Sequence, residues 1–101
     1  MRERRTFAAV DSGSVVGSAT FSLHTDHLEV DGLFVDPDHR RRGHATRLLD
    51  AVVEVARSAG LARLEVTAND HAGAFYDAAG FVPVGLVETE LGPAPRQHRV
   101  L

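Results

Sequence analysis

One segment constrains the fold of this chain more than any other. Over Val35-Asp36-Pro37-Asp38-His39-Arg40-Arg41-Arg42-Gly43-His44-Ala45-Thr46-Arg47-Leu48-Leu49, an apolar strand ends, an arginine and glycine turn follows, and a helix begins. A helix start leaves backbone N–H groups without internal partners, and the aligned peptide dipoles place partial positive charge at the same point. A strand, a tight turn and a helix N-terminus together form an anion cradle suited to phosphate. Gly43 lets the backbone approach a ligand closely, Ala45 keeps an early helical position small, and the arginines add donors that do not lose their protons. Two other phosphate loops do not match. A Walker A loop ends in Gly-Lys-Ser/Thr, and this chain has no lysine; the dinucleotide fingerprint needs three spaced glycines where only Gly43 is present. The bland alternative is a solvated charged turn that happens to precede a helix.

The rest of the chain supplies the frame for that segment. Thr6 to Val10 and Val15 to Leu23 are apolar and β-branched runs separated by Asp11-Ser12-Gly13-Ser14, which predicts a β-hairpin. Leu28 to Val35 predicts a third strand, stopped at Asp36-Pro37 because proline cannot donate to a sheet ladder. From Ala45 to Ala59, apolar residues at Ala45, Leu48, Leu49, Val52, Val53 and Ala56 follow helical spacing, with Gly60 as the stop. Leu61 to Ala68 reads as a strand, His71 to Ala79 as a second helix and Phe81 to Glu88 as another strand. After Gly92-Pro93-Ala94-Pro95, the last residues Arg96 to Leu101 are expected to add a final antiparallel edge strand. The predicted order is βββαβαβ(β), an α/β (α+β) fold with a parallel crossover around the first helix.

At 101 residues and 44% hydrophobic content, the chain is expected to be a single domain over residues 1–101. The absence of cysteine removes disulfides, thiolate nucleophiles and cysteine zinc sites, which suits a cytoplasmic protein. No apolar run reaches the ~18 residues of a membrane span, and the start Met1-Arg2-Glu3-Arg4-Arg5 lacks the apolar segment of a secretory signal. A net charge of −3 argues against a general nucleic-acid binder. His24 and His27 have a spacing a metal could use, but no completing ligand set accompanies them, so they read as exposed loop residues and no metal is expected.

The pattern Arg40-x-x-Gly43-x-Ala45 resembles the pyrophosphate loop of the GNAT superfamily of acyl-CoA-dependent N-acyltransferases. Asn69-Asp70-His71-Ala72-Gly73-Ala74-Phe75-Tyr76-Asp77-Ala78-Ala79-Gly80-Phe81 resembles the family's second signature. There an asparagine ends a strand, and an aromatic-tyrosine pair sits on the next helix before Gly-Phe. The two lie in the family's order, and the resemblance spans roughly Val15 to Val87.

The resemblance implies a mixed, largely antiparallel sheet with a V-shaped splay between the third and fourth strands of this chain, in which the pantetheine arm of acetyl-CoA lies. It implies that the main chain of Leu33, Phe34 and Val35 pairs with the pantetheine and the acyl carbonyl. N–H groups and side chains from Arg40, Arg41, Arg42, Gly43, His44, Ala45 and Thr46 would hold the pyrophosphate. Asn69 would hydrogen-bond the pantetheine, and Ala72 would leave room for it. Fixed N–H groups around a carbonyl stabilise the oxyanion of acyl transfer. Tyr76 matches the family's acid for the departing thiolate; on its own it would read as a core aromatic beside Phe75.

For the base, strand alternation puts Glu29 and Asp31 on one face and Leu28 and Val30 on the other, and Gly32 marks a bulge that reverses the alternation. Glu29, Asp31 and, more weakly, Glu65 remain open as candidates, beside bound water. Around the cradle, His39 and His44 are placed to meet phosphate, and His71 to line the amine pocket.

Relatives commonly begin with a strand and one or two helices, and this chain starts later than those. The expectation is that the missing layer leaves apolar sheet surface uncovered, which favours a homodimer through Phe81 to Leu101. Two functions stay open: an N-acetyltransferase for a small amine or peptide, and a catalytically impaired acyl-CoA-binding or partner-binding module.

Overall fold

The computed structural model describes residues 4–68 and 73–101. In chain order the elements are β1 (Arg4–Asp11), β2 (Ser14–Leu23), β3 (Leu28–Val35), a 3-10 turn (Pro37–His39), α1 (His44–Ser58), β4 (Arg63–Thr67), α2 (Gly73–Ala78), β5 (Val82–Thr89) and β6 (Gly92–Val100). They form one sheet in the order β1-β2-β3-β4-β6-β5, antiparallel except for the β3–β4 pair. No helix is long and apolar enough to cross a membrane among the described residues.

The helical stripe read from the sequence is the buried face of α1. Leu48, Leu49, Val52, Val53 and Ala56 pack on Phe21, Leu28, Val30, Leu64 and Val66 from the sheet, and Tyr76 and Phe81 extend the same cluster. Each large side chain taken out of water there contributes about 1.5–3 kcal/mol.

The bulge expected at Gly32 is present. Thr20 pairs with Gly32 and Phe21 with Val30, so Asp31 is the extra residue. Burial shifts phase across it: Leu28 and Val30 are buried before the bulge, and Leu33 and Val35 are the more protected residues after it. A change of phase is what one inserted residue does to a period of two.

Two expectations fail, each for a physical reason. The last strand is not at the edge: β6 lies between β4 and β5, and β5 is the edge. β6 also starts four residues earlier than Arg96, so Gly92 to Pro95 belongs to it and pairs with β5. Its prolines are tolerated because the ladder to β4 covers only Arg96 to Val100, so Pro93 and Pro95 lie where β6 has a paired neighbour on one side.

The second failure concerns the face of the sheet turned away from α1. It is polar, not apolar: Thr20, Glu29, Arg63, Glu65, Thr67, Arg96 and His98 alternate with the buried positions. Exposed apolar side chains gather instead on β5 and its turn, at Val82, Val84, Leu86, Val87 and Leu91.

Candidate functional site

β3 and β4 are hydrogen-bonded over just three residues each, Leu28–Glu29–Val30 against Leu64–Glu65–Val66. Beyond Val30 the pairing ends, and among the described residues the β4-facing edge of Asp31 to Val35 has no strand partner. Five residues of extended chain make that slot ~16 Å deep. β3 is held on its other edge by β2, where Gly17 pairs with Val35. A Cβ on Gly17 would lie 2.6 Å from the Phe34 carbonyl oxygen, so glycine is what lets the two strands close here.

The slot opens at its outer end onto the cradle. A cleft of about 630 Å³ is lined by Leu33, Phe34, Val35, His39, Arg40, Arg41, Gly43, His44, Ala45, Thr46 and Phe75. Asp36 caps the 3-10 turn by accepting from the Asp38 N–H at 2.9 Å. Arg41 and Gly43 have φ of 67° and 80°, left-handed conformations that turn the chain sharply just ahead of α1.

Gly43 is the N-cap of α1 and makes no side-chain cap bond, and no acidic residue lies in the first turn. The first intrahelical bond is from the Arg47 N–H to the Gly43 carbonyl at 3.0 Å. The N–H groups of His44, Ala45 and Thr46 therefore precede the helical ladder and face the need for an acceptor. His39 Nδ1 is buried with no hydrogen-bond partner among the described residues, and Asp36 Oδ1 lies 3.8 Å from it. An uncapped helix start and a tight turn thus meet at one cleft, an arrangement of free backbone donors that suits an anion.

Two cradle side chains are turned elsewhere. Arg42 pairs with Asp11 at 3.2 Å, and it does not line the cleft. His44 is buried: Arg47 Nη2 donates to its Nδ1 at 2.9 Å, which leaves Nε2 to donate to Asp11 at 3.2 Å. Its ring is thus engaged and not offered to phosphate as expected. Arg47 also donates to the Arg42 carbonyl at 3.1 Å, closing a clamp of four residues behind the loop. The hydrogen bonds from His44 and then Arg42 hold the Asp11 carboxyl below the usual carboxylate range. In the sequence Asp11 reads as a turn residue, because its contact with His44 across 33 positions of chain leaves no local pattern, whereas Arg47 meets His44 only three positions away.

None of the three candidate catalytic side chains lines the cleft as a wall residue. Tyr76 is 2% exposed, edge-on to Phe75 and Phe81 at ring separations of 5.5 and 5.2 Å, and desolvation pushes its phenol up to about 12. Asp31, carried outward by the bulge, lies 3.7 Å from Arg4. Glu29 is enclosed by donors: Arg96 reaches both of its oxygens at 2.5 Å, and His27 Nε2 lies 3.0 Å from Oε1. Asn69, Ala72 and His71 lie outside the described residues.

Glu65, the third carboxylate, accepts from Arg63 at 2.6 Å and from Arg96 at 3.0 Å. Desolvation raises its carboxyl, and the two guanidiniums more than offset that, for a net lowering. His24 and His27 are not loose loop residues. Their rings stack at 4.6 Å, and His27 Nδ1 lies 2.8 Å from Asp26, so the turn belongs to this charged cluster.

The comparisons with known proteins agree with this geometry. Residues 1–81 match the acetyltransferase (GNAT) family. A GCN5-related N-acetyltransferase from Rhodopseudomonas palustris superposes with a TM-score of 0.80 at 31% identity over 97% of this chain and 62% of its own. Nourseothricin acetyltransferase gives 0.87 at 25% over 96% of this chain and 65% of its own. An aminoglycoside 6'-N-acetyltransferase, solved with coenzyme A, gives 0.83 at 19% over 97% and 73%. The chain thus spans less than two thirds of the length of the first two. No curated protein sequence matches it. With most of its length matched and the sheet, splay and cradle in place, the chain belongs to the acetyltransferase (GNAT) family.

Proposed function

We propose that this protein is an acetyl-CoA-dependent N-acetyltransferase that acylates a primary amine of a small molecule or peptide by direct attack in a ternary complex. The observation that carries the reading is the union of an uncapped helix N-terminus with an unpartnered strand edge in one cleft. Coenzyme A in the aminoglycoside enzyme of the same fold supports the choice of co-substrate.

In this reading the N–H groups of Gly43 to Thr46, with Arg40 and Arg41, hold the pyrophosphate. The pantetheine runs along Leu33, Phe34 and Val35 as an added strand, with Asn69 and Ala72 in the roles their motif gives them. The neutral amine attacks the thioester carbon, backbone N–H groups of β3 stabilise the oxyanion, and the C–S bond breaks. Tyr76 gives its proton to the departing thiolate, and solvent restores it. Its high pKa keeps that proton in place at every physiological pH. The amine's proton leaves through water. Asp31 is the better placed of the two β3 carboxylates to receive it, because both oxygens of Glu29 are already taken.

A homodimer accompanies this reading. β5 is a sheet edge exposed along its whole length and carries Val82, Val84, Leu86 and Val87, and a second copy covers such an edge by pairing with it about a two-fold axis. The test of function is calorimetry with acetyl-CoA followed by thiol release across a panel of amines. Binding with turnover supports the enzyme, binding with no turnover on any amine supports the impaired module, and no binding ends both.

A further inference from the structure

We propose that Arg96 is a specificity-determining brace that closes the inner end of the slot and restricts the acyl group to a short chain. The inference rests on the acyl-CoA reading above and adds a property of this chain's own residues to it.

The position follows from register. The last rung of the β3–β4 ladder is Val30 with Val66, and the rung before it sets Glu29 against Glu65. Thr67 is the first β4 residue beyond the ladder, and Arg96 of β6 is its partner on the other side. From there the guanidinium spans all three strands on the polar face. Nε donates to Glu65 at 3.2 Å; Nη1 donates to Glu29 at 2.5 Å and Thr67 Oγ1 at 3.0 Å; Nη2 donates to Glu29 at 2.5 Å and Glu65 at 3.0 Å.

A guanidinium has five N–H bonds, and here every one is used. Arg96 therefore keeps no donor for a substrate, which separates a structural clamp from a ligand-binding arginine. Its acceptors are held in turn: Arg63 fixes the other oxygen of Glu65 at 2.6 Å, and His27 lies 3.0 Å from Glu29.

The consequence is mechanical. Glu29 and Glu65 are like charges on directly paired positions, an arrangement that pushes strands apart. Arg96 turns that repulsion into attraction at the vertex, while the core side chains Val30 and Val66 close the slot from the helix face. An acyl group attached to a pantetheine that enters from the Gly43 end points its terminal carbon at this vertex. Each added methylene must find room where the strands are latched together.

The test is the affinity of acetyl-, butyryl- and hexanoyl-CoA by calorimetry, which needs no knowledge of the acceptor, for the native protein, Arg96→Ala and Arg96→Lys. The native protein is expected to bind acetyl-CoA most tightly, with discrimination on the order of 10-fold or more per methylene. Arg96→Ala should raise butyryl-CoA relative to acetyl-CoA by about 10-fold, and Arg96→Lys, which keeps the charge but cannot span three acceptors, should shift the same ratio less.

A loss of stability alone would not move a ratio between ligands. The brace is refuted if the ratio stays fixed in the variants, or if the native protein takes hexanoyl-CoA as well as acetyl-CoA. Arg96→Lys decides the matter should Arg96→Ala not fold. Failure of every acyl-CoA to bind the native protein is a different result, and it overturns the functional reading together with the brace.

Discussion

Replacing Gly17 with alanine puts a methyl group where the slot-forming strand is most tightly held. The new Cβ would lie 2.6 Å from the Phe34 carbonyl oxygen, 3.2 Å from Val35 Cγ2 and 3.3 Å from Val35 Cα. The closest of these contacts is with backbone, so no side-chain rotation relieves it, and β3 must move outward by several tenths of an ångström. Overpacking of this kind costs about 1–3 kcal/mol. With an unfolding entropy near 2.1 cal/mol/K per residue, a cost of about 2 kcal/mol lowers Tm by roughly 9 °C for a chain of this size.

The same displacement moves Leu33, Phe34 and Val35, so acetyl-CoA affinity should fall with stability. Gly32→Ala is the internal control: a Cβ there meets nothing within 4 Å and φ is not positive, so Tm should hold or rise slightly. Thermal unfolding by circular dichroism, with calorimetry for the ligand, reads both effects. A Gly17→Ala protein that melts within a degree of the native one would refute the argument that this contact sets the strand.

Four further outcomes follow from particular residues. Tyr76→Phe should lower kcat by about 10- to 100-fold with little change in acetyl-CoA affinity, at the low end for a lost general acid because a thiolate is weakly basic; steady-state kinetics check this. Stability should fall as pH rises from 10 through about 12. Burial holds the folded phenol of Tyr76 up at about 12 against 10.0 unfolded, so its contribution of about 3 kcal/mol is complete below pH 10 and lost by about pH 12, as denaturant melts across that range would show. Asp11→Asn should weaken acetyl-CoA binding by ~3- to 10-fold with kcat at saturation nearly unchanged, because it loosens the clamp on Arg42 and His44 without touching the reacting atoms. Leu86→Lys should convert a dimer to a monomer in analytical ultracentrifugation; an unchanged sedimentation coefficient would count against β5 as the interface.

Local signals were legible in the sequence, and contacts between distant segments were not. The period of three and four from Ala45 onward gave α1 and its buried face, because every third or fourth residue of a helix must share one side. Gly32 announced the bulge, and the Arg40 to Thr46 segment, Arg42 apart, lines the cleft. By contrast, Gly92-Pro93-Ala94-Pro95 carries the chemistry of a turn yet pairs with β5, since pairing depends on what lies alongside a segment and not on its own letters.

The charge placements were also hidden. Glu29 reads as a candidate base, a solvated strand residue or the partner of some arginine, and only the fold brings Arg96, 67 positions later, against it. The polar character of the open sheet face is written in the alternation of β3, β4 and β6, but only the pairing of those strands assembles it into one surface. That face pairs its own charges, and the exposed apolar side chains lie on the β5 edge instead.

The central claim is that the Gly43 turn grips a diphosphate while the unpaired edge of β3 takes the pantetheine. Amide chemical-shift mapping of the 15N-labelled protein during titration with acetyl-CoA tests it directly. The account predicts saturable shifts that are largest at Leu33 to Val35 and at Arg41 to Thr46, with β5 little affected. Shifts confined to other surfaces, or none at millimolar acetyl-CoA, would contradict it.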